Sequence, residues 1–157
     1  MNAVNHCGGY LKHLQAEHHR LNLVVLKIRH QLAGFRQSGE APATRDCLID
    51  QLEDLLRQLQ SHFKEEEEEE GFLEEALARC RSVRPDVQTL MDEHPQLAQA
   101  LERLIVGLKS RTIDGETCQR LFESFAKKLK AHECIENTLL QFALGGNASE
   151  YDAEGNE

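Results

Sequence analysis

Four stretches of this chain place apolar residues at alternating steps of three and four, the spacing that lines one face of an α-helix. The rows read Leu14, His18, Leu21, Val25, Ile28, Leu32, then Leu48, Leu52, Leu55, Leu59, His62, Glu66, with Leu73 and Leu77 in the same phase. The third is Val87, Leu90, His94, Leu97, Leu101, Leu104, Leu108, and the fourth Phe122, Phe125, Leu129, His132, Glu136, Leu139. Each seam must be buried against another element, and with no alternating strand pattern present the partner has to be another helix. Every seam is broken by one histidine, and two of them also by a glutamate four residues later.

Turn chemistry separates the rows at "RQSGEAPAT", "RSVRPD" and "SRTIDGET". The first helix is expected from about Tyr10 to Gln37, and the second after Pro42 with Thr44 as its cap. Pro85 and Asp86 begin the third, in which Pro95 should kink the helix or free a carbonyl. The 157 residues contain 5% aromatics, no Trp and only three prolines, which suits one all-α domain with a single core. The organisation is an N-terminal segment over 1–9, a bundle over 10–144 and a disordered acidic tail over 145–157, where "GGNASEYDAEGNE" loses apolar periodicity.

A net charge of −9 without a basic patch argues against nucleic acid and anionic membranes as partners. No run approaches the roughly 18 apolar residues of a membrane span, and "MNAVNHCGGY" does not read as a signal peptide, so a cytoplasmic location is expected. The five cysteines are scattered, without a C-x-x-C pair, and read as free thiols.

The polar interruptions form a weak repeat: Glu17-His18 followed by His62 and Glu66, then Glu93-His94 followed by His132 and Glu136. Two histidines on antiparallel helices share a level when the turn lies midway between them. The midpoint of 18 and 62 is 40, and that of 94 and 132 is 113, both inside expected turns. The midpoint of 62 and 94 is 78, ahead of Pro85, so the second helix should overhang or break near Gly71.

Four histidines and two carboxylates therefore converge in an apolar core. One histidine on an apolar seam is ordinarily a hydrogen-bonded core residue, but two buried carboxylates without a Lys or Arg on any seam call for a cation. Nitrogen and oxygen donors without thiolate suit iron, manganese or zinc. His18, His62, Glu66, His94, His132 and Glu136 are the candidate ligands, and the two carboxylates could bridge a pair of ions about 3.5–4 Å apart. His6, His13, His19 and His30 fall off the seams and read as surface residues. In the run Glu65–Glu70, Glu66 continues the row through His62, whereas Glu67 and Glu68 should face solvent.

Other metal motifs fit less well. "HECIE" lacks the second histidine of H-E-x-x-H, and the Glu-x-x-His of ferritin-like bundles is absent, since Gln15, Leu59, Met91 and Leu129 occupy those positions. On Glu17-His18, His62-x3-Glu66, Glu93-His94 and His132-x3-Glu136, the chain resembles the hemerythrin family and its HHE cation-binding domains over about Leu11 to Leu144. That resemblance implies a left-handed up-down-up-down four-helix bundle around a non-haem di-iron centre with an oxo or hydroxo bridge. His18 and His62 would then serve one iron, His94 and His132 the other, with Glu66 and Glu136 bridging.

Oxygen-carrying members have an extra histidine on the third helix and His-x4-Asp on the fourth. Here Leu90 and Ala98 flank His94, and the fourth helix carries His-x3-Glu. A more oxygen-rich site favours oxidised iron and weighs against reversible oxygen carriage. Repair-type members often carry an N-terminal cysteine module, whereas Cys7 stands alone. The first expectation is thus a protein that binds or senses O2, NO or iron itself. The second is an enzyme acting on peroxide, iron(II) or nitrosative damage, with Glu65, Glu69 or Glu93 as proton or ion relays. The third is a metal-free helical interaction domain.

Overall fold

The computed structural model describes residues 3–68 and 71–143, with side chains from residue 9 onward. It is an all-α four-helix bundle, with no strand among the described residues. The long helices are α1 (Ala3–Gln37), α2 (Pro42–Glu67), α4 (Arg84–Lys109) and α5 (Gly115–Ala143), and a short α3 (Phe72–Arg79) with a 3-10 turn (Arg81–Val83) links α2 to α4. None of the described helices is long and apolar enough to cross a membrane. The tail expected over 145–157 lies outside the described residues, as do Glu69 and Glu70.

The four apolar rows are buried, except that Leu77, at the end of the second, is only partly so. The chain packs as two compact units. One comprises His19–Ser61 and Pro95–Lys130 and buries Ile28, Leu32, Phe35, Leu52, Leu101 and Phe122. The other is drawn from Met1–His18, His62–His94 and Ala131–Glu157; Leu14, Phe72, Leu73, Val87, Leu90 and Leu140 belong to its apolar cluster. Each such side chain contributes about 1.5–3 kcal/mol on leaving water.

Element ends follow from local chemistry. α1 closes on a left-handed cap at Gly39 (φ 70°), where the Glu40 N–H donates to Phe35 O and the Gly39 N–H to Arg36 O. α4 closes the same way at Arg111 (φ 57°), with the Thr112 N–H on Gly107 O. α5 is capped by Asp114, whose carboxylate accepts from the Thr117 N–H at 2.8 Å; that bond lowers the Asp114 pKa.

Several boundaries differ from expectation. α1 begins at Ala3 and not near Tyr10, because its first turns need no apolar seam to stay helical. Pro42 is the first residue of α2, and Thr44 is no cap: its hydroxyl donates to Ala41 O, while Ser38 Oγ accepts from the Ala41 N–H. α4 starts at Arg84, one residue before Pro85, and continues through Pro95, whose missing N–H deprives the Met91 carbonyl of its helical donor.

The expected break near Gly71 is present. Consecutive glutamates repel along a helix, and α2 ends at Glu67. A Cβ on Gly71 would lie 2.5 Å from Glu66 O and 2.7 Å from Glu65 O, so only glycine fits this return. Leu73 and Leu77 therefore lie on α3, although they are in phase with the α2 row.

Candidate metal centre

The break after Glu67 leaves the last turns of α2 facing α1, α4 and α5 with His62 and Glu66 pointing inward. His18, His62, Glu66, His94, His132 and Glu136 are each at most 5% exposed. Their donor atoms form two groups, His18, His62, Glu66, Glu136 and Glu66, His94, His132, Glu136, in each of which one atom per residue lies within 4.8 Å of every other. Both carboxylates belong to both groups.

The contacts inside the site are short but badly aligned for hydrogen bonding. His62 Nε2 lies 2.5 Å from Glu66 Oε1, His94 Nε2 2.8 Å from Glu66 Oε2, and His132 Nε2 2.5 Å from Glu136 Oε1. Even so, those three nitrogens, both nitrogens of His18 and all four oxygens of Glu66 and Glu136 have no hydrogen-bond partner. Buried polar atoms left unsatisfied cost free energy. Buried nitrogen and carboxylate donors gathered within 4.8 Å of one another without hydrogen-bond partners are the donor arrangement of a cation site, so these residues fit a metal.

The outward nitrogens of two histidines are held by carboxylates. His62 Nδ1 contacts Glu17 Oε2, and His132 Nδ1 lies 3.1 Å from Glu93 Oε1. A carboxylate accepting from Nδ1–H fixes the ring with Nε2 aimed inward, which orients a ligand and raises its basicity. The pairs repeat across the two halves of the sequence: the glutamate that precedes one histidine supports the next. Glu17-His18 and Glu93-His94 were visible as motifs, but the role of each glutamate was not.

Phe63 also went unread in the sequence. It stacks on His94 with centroids 4.0 Å apart and planes 9° apart, and presents its edge to His132 at 5.6 Å. Glu67 is exposed to solvent as expected, and its Oε1 also lies 3.4 Å from His94 Nδ1. Of the histidines set aside as surface residues, His19 and His30 are exposed and His6 lies outside the described side chains. His13 is half exposed yet engages Glu17 and Glu65.

Before an ion enters, protons and carboxylates settle the charge. Burial and the neighbouring Glu136 raise the Glu66 pKa well above the carboxylate range. Burial opposes ionisation of Glu136 too, but His132, His18 and His62 hold it well below that range. Burial disfavours a charged His62, yet Glu136, Glu17 and Glu66 push its pKa up to about 12. His94, buried and beside His132, falls to about 4.

Fold and site together define a cation-binding helical bundle. The chain belongs to the hemerythrin family: the model of the hemerythrin HHE cation-binding domain matches residues 10–143. Domains of this kind bind metal cations. No curated protein and no solved structure gives a significant match to the chain.

Proposed function

We propose that the chain holds a pair of iron ions through His18, His62, Glu66, His94, His132 and Glu136 and uses them to bind or sense O2, NO or iron itself. The observation that carries this reading is the sharing of Glu66 and Glu136 by both groups of donors. Two histidines per group with two common carboxylates is the ligand set of a carboxylate-bridged pair. The absence of thiolate favours iron over copper(I), with manganese or zinc as competitors. Bound iron would supply redox-active Lewis-acid positions for a small ligand.

The chain's own residues determine what such a pair can do. Leu90 is fully buried and, like Ala98, offers no donor beside His94, so the donor set stays at four nitrogens and two carboxylates. Phe63 keeps water from His94 and His132, while Glu17 and Glu93 hold protons on the far side of His62 and His132. A second reading, an enzyme reducing peroxide or oxidising iron(II), is favoured by a pocket of about 200 Å³ that reaches His62 and Glu66.

Anaerobic loading with Fe2+ followed by exposure to O2 or NO tests the proposal. It predicts near-ultraviolet absorption from an oxidised pair and a stoichiometric spectral change on NO addition. Multiple turnovers of peroxide or iron(II) would instead favour the enzyme. A folded protein that takes up no iron would contradict both.

A further inference from the structure

Outside the six buried groups, His13 Nε2 lies 3.2 Å from Glu17 Oε1 and 2.8 Å from Glu65 Oε1. The three donors lie within 4.8 Å of one another. His13 and Glu17 stand one turn apart on α1, and Glu65 comes from α2. All three line the pocket of about 200 Å³ whose lining also includes Glu68, His62 and Glu66. Glu66 is only 1% exposed, and both of its oxygens lack a hydrogen-bond partner. Glu17 belongs to both places, with Oε1 toward His13 and Oε2 toward His62.

We propose that His13, Glu17 and Glu65 form an outer binding site for a divalent transition-metal cation, from which the ion passes along this pocket to His62 and Glu66. One imidazole and two carboxylates suit a borderline-hard dication. Among the described residues the lining holds no Lys or Arg to repel it, and Glu17, Glu65 and Glu68 concentrate cations at the mouth. His13 and Glu65 have side chains 52% and 53% exposed, so water competes for the ion and binding stays exchangeable, as a transfer site requires. Glu66, buried behind them with free lone pairs, receives the ion. The proposal rests on the inner groups being a metal centre.

Anaerobic Co2+ binding to the full chain tests it, with equilibrium dialysis for the ion count and stopped-flow absorbance for loading. The exposed double variant His13→Ala/Glu65→Gln should fold as the parent does, checked by circular dichroism. It should bind one Co2+ fewer per chain and load the inner groups about tenfold more slowly at substoichiometric cobalt. The inner variant His18→Ala/His132→Ala should lose inner cobalt and keep the outer ion. An unchanged ion count or an unchanged loading rate in the outer variant overturns the proposal. If the parent takes up the outer ion alone, the inner centre is the assignment that fails.

Discussion

At the scale of single residues, a cation entering the site competes with protons. His62, with its pKa raised to about 12, carries a proton at neutral pH, and burial beside Glu136 shifts Glu66 toward its protonated form. Protons on these groups must leave before their lone pairs can ligate. Metal loading near pH 7 should therefore release protons, read with an indicator dye, and affinity should climb as pH rises from 6 to 9. A pH-independent affinity would contradict this charge assignment. The stability of the metal-free protein follows the opposite sign for His62. A base whose folded pKa lies above its unfolded value stabilises below about 6.5 and loses that contribution as pH rises toward 12.

Glu17 and Glu93 act through the histidines they touch and are positioning residues. Replacing Glu93 by Gln keeps the shape but weakens the acceptor at His132 Nδ1. Metal affinity should fall about 10- to 100-fold, measured by competition with a chelator dye, while the helical circular dichroism stays unchanged. An unaltered affinity would mean that the 3.1 Å contact has no influence on the ligand.

At the scale of elements, the return after α2 is the feature on which the site depends most. Gly71 passes so close to the Glu65 and Glu66 carbonyls that a methyl group cannot be placed without moving backbone. Gly71→Ala should shift the last turn of α2, lower the melting temperature and reduce bound metal, since Glu66 is in that turn. Metal content per folded chain is the discriminating reading; a variant with parental metal content would show that the return can relax without moving Glu66. Arg111, by contrast, holds a left-handed φ that a non-glycine residue adopts at a cost of about 1–2 kcal/mol. Arg111→Gly should raise stability in a denaturant titration and leave metal binding unchanged.

At the scale of the whole molecule, the parts legible in the sequence are those governed by periodicity. The apolar rows are buried as their spacing required, with only Leu77 at the end of the second left partly exposed, and the six polar interruptions meet because the turns fall midway between paired histidines. Helix starts were less legible: Ala3 and Arg84 begin helices without a distinguishing cap, so only hydrogen bonding shows where they start. The roles of Glu17, Glu93 and Phe63 were hidden for another reason. Each acts across helices, through an orientation that spacing along one helix does not encode. His13 was set aside for lying off the seam, which said nothing about the carboxylates facing it from α1 and α2.

The central claim is that His18, His62, Glu66, His94, His132 and Glu136 hold a pair of iron ions. Iron and protein quantified together, in the parent loaded anaerobically with Fe2+ and in His62→Ala/His132→Ala treated identically, test it most directly. The predicted result is two tightly held irons per parent chain and none tightly held in a variant that remains helical. Full iron retention by that variant, or a folded parent without iron, would contradict it.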